Sequence, residues 1–188
     1  MSQSGQVKAL AVSGSLRKGS FNTAALRAAV ELAPDGMSVE IADISQIPIY
    51  NEDVRQQGFP APVQKFREQI LAADALIFAT PEYNYSVPGV LKNAIDWASR
   101  PPDQPFNGKP VGIMGATPSL WGTARAQYHL RQSCVFLNML PINKPEVLIA
   151  QAAAKFNDQG QLTDATTRDV IRQFMTALRD WTLRLRAG

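Results

Sequence analysis

Short apolar runs and amphipathic stretches alternate along the chain. Val7–Val12 is an apolar run between Gly5 and Gly14, which predicts a buried strand. Phe21, Ala25, Leu26, Ala29, Val30 and Ala33 recur at helical spacing and stop at Pro34. Met37–Ala42 reads as a second strand. Ile44–Pro62 carries Pro48, Pro60 and Pro62 and reads as a long loop. A helix over Val63–Leu71 and an apolar strand over Ala75–Ala79 follow. The spacing then predicts a helix over Pro88–Ser99, with Ser86 as its cap and Pro88 in its first turn. A strand over Val111–Ala116, a long helix over Thr123–Leu140 and a strand over Lys144–Ile149 come next. Val170, Ile171, Phe174, Leu178, Trp181 and Leu185 mark one face of a last helix, whose terminal Arg184 and Arg186 suit its dipole.

Strands apolar throughout, each followed by a helix, imply a parallel sheet covered on both faces. Five such units in one domain spanning residues 1–188 suit an α/β, flavodoxin-like fold of strand order 2-1-3-4-5. In such sheets a ligand sits beyond the carboxyl ends of the strands, at the switch between the first and third.

Composition narrows the classes. The chain is 45% hydrophobic and 19% charged, a globular profile. Its net charge of +3 is spread thinly, so nothing points to nucleic acid as a partner. No apolar run reaches the roughly 18 residues that a membrane span needs. The single cysteine, Cys134, excludes an intrachain disulfide and a cysteine-rich metal site, and it falls in a helical pattern as packing. Met1–Gln6 lacks the pattern of a secretory signal, so a cytoplasmic protein is expected.

The loop after the first strand, Ser13–Thr23, matches neither the dinucleotide fingerprint nor the Walker loop. It offers hydroxyls, two glycines, a guanidinium and a helix start, whose free N–H groups attract anions. Ser15, Ser20 and Asn22 can donate hydrogen bonds, and Arg17 can clamp phosphate oxygens in pairs. A terminal phosphomonoester suits it better than a bridged pyrophosphate. The plain alternative is a capping loop without a ligand. A phosphatase would need a nucleophilic cysteine here, and there is none.

The loop after the third strand, Thr80–Gly89, holds two tyrosines and two prolines. It reads as a stiff aromatic ledge, with backbone N–H groups from Glu82 to Asn84 free for the edge of a planar heterocycle. The plain alternative is a surface loop with packed tyrosines. Together, a phosphate cradle and an aromatic ledge describe a flavin mononucleotide site. The small residues Gly115–Ser119 would let the backbone approach the ring, with Thr117 as a polar contact.

Here the sequence resembles the NADPH-dependent FMN reductase family, especially its chromate and quinone reductase branch. The matching stretches are Gly14–Asn22, Pro81–Gly89 with its continuation Leu91–Trp97, and Asn143–Glu146. The resemblance implies noncovalent FMN, with phosphate-side contacts at Ser13, Ser15, Leu16, Arg17, Ser20, Phe21 and Asn22. It also implies ring contacts at Pro81, Glu82, Tyr83 and Asn84, and a minor one at Thr117. It implies NADPH or NADH as a transient co-substrate, a small-molecule electron acceptor (quinone, flavin, azo compound or chromate-like anion) and a homodimer or homotetramer. Hydride reaches FMN and electrons leave it from one site in turn, so no residue is assigned as catalytic. A flavodoxin-type electron carrier is the alternative, against which the mildly basic charge speaks. The Glu82 side chain is expected to be a solvated carboxylate, and His129 a surface or interface residue. Arg125 and Tyr128, sharing a helix face, are candidates with Glu146 for a subunit contact. Trp97 and Trp121 are expected as core or interface aromatics, with Trp121, close after the fourth-strand loop, also a candidate for the site entrance.

Overall fold

The computed structural model describes residues 5–187; Met1–Ser4, at the head of the segment expected to lack a signal, lie outside the described residues. The central strands are β1 (Val7–Ser13), β2 (Met37–Ala42), β3 (Ala75–Ala79) and β4 (Pro110–Ala116), all parallel. They stand in the order β2-β1-β3-β4. Two short strands, β5 (Leu140–Pro141) and β6 (Val147–Ile149), share the fifth position, pairing with the start and the end of β4. The sheet therefore has the flavodoxin-like order 2-1-3-4-5, its last strand split. Pro141 and Pro145 fall in that stretch, and a proline has no N–H for a ladder. The expected continuous strand Lys144–Ile149 thus shortens to three residues.

Alternating side chains of each strand feed two cores, as a pleat requires. On one face Ala9, Ala11 and Ile77 pack against α1 (Phe21–Glu31) and α6 (Ala165–Arg186). On the other, Leu10, Val12, Leu76 and Phe78 pack against α3 (Ala61–Ala72), α4 (Gly89–Ala98) and α5 (Ala124–Phe136). Trp97 is fully buried and donates from its indole N–H to the Pro48 carbonyl at 2.8 Å.

Three expectations need correction. The loop Ile44–Pro62 contains a helix, α2 (Glu52–Gln56), whose N-cap Asn51 accepts from the Asp53 N–H. The helix expected to reach Leu140 ends at Phe136, because Asn138 turns left-handed (φ 51°) and the chain enters β5. Ser86 does not cap α4: Pro88 holds that position, and Ser86 folds back on Tyr83.

Among the described residues no helix is long and apolar enough to cross a membrane.

Candidate functional site

β1, β3 and β4 end side by side. Ser13 lies opposite Ala79, and Ala79 opposite Met114. The chain leaving each strand must diverge within a few residues, and the three loops form the walls of a cleft. Gly14 is where two of them touch. Its N–H donates to the Ala79 carbonyl at 2.8 Å, and a Cβ there would press on Pro81 and Pro88 at 3.0 Å. Gly115 permits a second close approach: a Cβ there would overlap the Thr80 carbonyl and the Thr123 side chain.

The cleft encloses about 230 Å³, lined by Ser15, Arg17, Ser20, Phe21 and Asn22 from the first loop. Pro81, Glu82 and Tyr83 line it from the second, and Ala116, Thr117 and Pro118 from the third. Nine of these eleven were expected individually from the sequence; Ala116 and Pro118 were expected only as part of the small-residue stretch Gly115–Ser119. Ser13, Leu16 and Asn84 lie beside the lining. Ser13 braces the loop from behind, its hydroxyl 2.8 Å from that of Thr23. Leu16 and Asn84 are exposed.

The side chains divide into those that build the loop and those left free. Ser20 is the N-cap of α1, its hydroxyl accepting from the Thr23 N–H at 3.3 Å. Asn22 is buried and bridges to β4: its amide oxygen accepts from the Ala116 N–H and its amide nitrogen donates to the Ala116 carbonyl, both at 2.9 Å. Asn22 was expected to donate to a ligand; its side-chain oxygen and one of its two amide hydrogens are spent on locking the third loop to the first. Arg17 is exposed, with its guanidinium 5.6 Å from the Phe21 ring centre and no ion pair among the described residues. The N–H groups of Phe21 and Asn22, at the open end of α1, have no partner among the described residues.

On the ring side, Tyr83 and Ser86 exchange backbone hydrogen bonds at 3.1 and 3.0 Å, so the Tyr83 N–H is spent. The Glu82 and Asn84 N–H groups have no partner among the described residues. Thr117 donates its N–H to Ile149, and its hydroxyl meets that of Ser119 at 3.2 Å. The Glu82 carboxylate is not solvated as expected. Its side chain is 8% exposed and turns away to accept from the backbone N–H groups of Arg125 and Ala126 and from the Arg125 guanidinium. Nothing at Glu82 or Arg125 taken singly announces this pairing across 43 residues.

A larger hollow of about 550 Å³ lies between α4 and α5, lined by Ser86, Lys92, Arg100, His129 and Phe136 among others. Its charged groups and histidine are already engaged: Lys92 with Asp96, Arg100 with the Asp96 carbonyl and Ser99 Oγ, and His129 Nδ1 with Ser86 Oγ at 3.0 Å. The smaller cleft gathers a free guanidinium and free backbone donors from two loops. A guanidinium and two helix-start N–H groups at one end fit a phosphate. Two loop N–H groups at the other fit the acceptor edge of a flat ring. The donor set therefore fits FMN. Elsewhere, burial pushes the Cys134 thiol up to about 11, which leaves it without nucleophilic character at neutral pH.

Comparison with known proteins agrees. The profile of the NADPH-dependent FMN reductase family matches residues 7–154. The chain is 62% identical over 183 residues to an NAD(P)H-dependent FMN reductase of Pseudomonas aeruginosa, covering 97% of this chain and 99% of the relative. It is 48% identical over 176 residues to a quinone reductase of Escherichia coli K12, covering 92% and 94%. The solved structure of FerB, a flavoenzyme NAD(P)H:(acceptor) oxidoreductase from Paracoccus denitrificans, superposes with a TM-score of 0.86 at 33% identity, covering 95% of this chain and 98% of FerB. This chain belongs to the NADPH-dependent FMN reductase family and is an NAD(P)H-dependent enzyme with FMN as its cofactor.

Proposed function

We propose that this enzyme passes electrons from NADPH or NADH through FMN held in the cleft to quinones, with flavins, azo compounds and chromate-like metal anions as further small-molecule acceptors. The observation that carries the reading is the convergence of unspent donors on one cleft: Arg17 and the N–H groups of Phe21 and Asn22 at one end, that of Glu82 at the other with the Asn84 N–H beside the lining. The quinone as first acceptor is supported by the similarity to the quinone reductase of Escherichia coli K12.

FMN, when bound, supplies the hydride and electron transfer. The chain's own residues bind and orient it. Arg17 and the start of α1 hold the phosphate, and the Ser20 cap and Asn22 bridge keep that start in place. The Pro81–Asn84 backbone holds the ring edge. Tyr83 and Tyr85, 54% and 63% exposed, and Trp121, 64% exposed, provide flat apolar surface near the cleft mouth for planar co-substrates.

The test is an anaerobic titration of the FMN-loaded protein with NADPH and then NADH, followed by a quinone. Bleaching of the flavin absorbance by nicotinamide and its return on quinone addition are expected. A flavin that stays oxidised leaves an electron carrier in place of a reductase.

We also propose that the chain works as a homodimer or homotetramer. Tyr128 and Val135, seven residues apart on α5, share a face and are 60% and 82% exposed, with Phe136 beside them at 86%. Such an apolar stripe is unusual on a free surface. Arg125 and Glu146, expected with Tyr128 at this contact, each hold an ion pair within the chain, to Glu82 and Lys144, and keep about a third of their side-chain surface exposed. Light scattering that returns the monomer mass at micromolar concentration removes this proposal.

A further inference from the structure

We propose that Glu82 is a positioning residue. Its carboxylate anchors the ring-side loop to the start of α5, and its pairing with Arg125 keeps the charge beside the flavin ring balanced, so that the pair sets the flavin's reduction potential. The proposal rests on the reading that the Pro81–Asn84 loop faces the ring.

Helix α5 lacks a cap of its own. Thr123, at the N-cap position, is left-handed (φ 65°) and makes no capping hydrogen bond; its hydroxyl accepts from the Gln127 amide at 3.1 Å. The Ala124 N–H donates to the Trp121 carbonyl at 3.0 Å, but those of Arg125 and Ala126 would go unpaired. Glu82 takes that role from 43 residues away: Oε2 accepts from the Arg125 N–H at 3.0 Å and the Ala126 N–H at 3.2 Å. A carboxylate is well placed there by the helix dipole as well. Oε1 accepts from the Arg125 guanidinium. Both oxygens are thus committed to α5, and the backbone of Glu82 is left to the cleft.

The loop needs such an anchor. Asn84 and Tyr85 are consecutive left-handed residues (φ 50° and 65°), a conformation that asparagine visits readily and tyrosine resists. Three restraints hold it: the Tyr83–Ser86 backbone pair, the His129–Ser86 side-chain contact and the Glu82 clamp. The clamp extends to the rim, because the Arg125 guanidinium lies 3.7 Å from the Tyr85 ring centre and 5.4 Å from that of Trp121.

Opposite charges at one place cancel; either alone does not. Without Arg125, a bare carboxylate beside the cleft opposes the arrival of electrons. Without Glu82, a bare guanidinium favours it. Glu82→Gln is therefore expected to raise the midpoint potential of bound FMN and Arg125→Gln to lower it, while the double variant returns toward the wild type. Glu82→Gln should also weaken FMN binding about tenfold, a modest share of the loss expected when a buried charge pair is broken. Arg125→Lys, which keeps the charge, should retain most of the wild-type potential. A loop merely loosened would shift both single variants the same way or neither, and that result overturns the assignment.

Amide hydrogen exchange on the apoprotein reads the anchor separately. Glu82→Gln should speed exchange at Arg125, Ala126, Tyr83 and Ser86; unchanged rates overturn the anchor. A wild-type protein that takes up no FMN overturns the reading of the cleft and the potential claim with it, while exchange still decides the anchor.

Discussion

Two residues in the first loop, five positions apart, do opposite jobs. Arg17 reaches into solvent, pairs with no carboxylate among the described residues and contributes little to the fold. Its loss should weaken FMN binding by about 1.5–3 kcal/mol, the scale of a hydrogen bond to a charged group. The apoprotein's denaturation midpoint should not move. Equal FMN affinity in Arg17→Ala, measured by fluorescence quenching, removes Arg17 from the phosphate end. Asn22 is the reverse case. Asn22→Ala strands the N–H and the carbonyl of Ala116, both bonded now to its amide. The apoprotein should lose about 1–3 kcal/mol, the cost of unsatisfied buried groups, before any effect on FMN is counted. Urea denaturation of the apoprotein checks this; an unchanged midpoint shows that the bridge contributes nothing. From the sequence both residues read as phosphate ligands, because an asparagine at a helix start advertises its amide but not the strand end that consumes it.

Elements were legible where pattern and punctuation agreed. Met37–Ala42 and Ala75–Ala79 fall where the apolar runs place them. One boundary failed where no glycine or proline marked the turn: α5 stops at Phe136 although Val135, Phe136 and Leu137 continue an apolar run, and the turn is made by a left-handed Asn138. Helix α2 was hidden by the prolines around it, although Asn51 followed by Glu52 and Asp53 is a helix-start signature. The cap of α6 supports a prediction at this scale. Hydrogen bonds from the Thr167 hydroxyl and N–H, aided by the nearby Lys155 ammonium, hold the Asp164 carboxyl below its ordinary value. A depressed acid stabilises the fold above its ordinary range, near pH 4, and that contribution is lost as pH falls through the lowered value. The melting temperature should therefore fall more steeply between about pH 5 and pH 2 in the wild type than in Asp164→Asn, which keeps a capping oxygen that cannot titrate. Parallel curves for the two proteins would show that the cap is not a source of the acid sensitivity.

At the scale of the molecule, the cleft is made by three loops that the sheet brings together, so FMN bound there should report on the whole fold. A ligand that binds only the folded chain at 100 times its Kd stabilises it by about 2.7 kcal/mol. For a chain of this size, that corresponds to a rise of roughly 5–11 °C in the melting temperature. Cys134 offers an independent readout. It is fully buried on α5 in the core behind the sheet, and burial holds its thiol up at about 11, so a thiol reagent reaches it only when the core opens. If opening is global and reclosing is fast, labelling follows the unfolded population. The same FMN concentration should then slow labelling by about 100-fold, by the same mass action. Slow labelling that FMN does not change would show that the helix face covering Cys134 opens without the cleft. Rapid labelling of the native protein would contradict the burial itself. Agreement between the thermal shift and the labelling rate would make cleft and core one cooperative unit, the coupling expected when Asn22 ties α1 to β4 and Glu82 ties the β3 loop to α5.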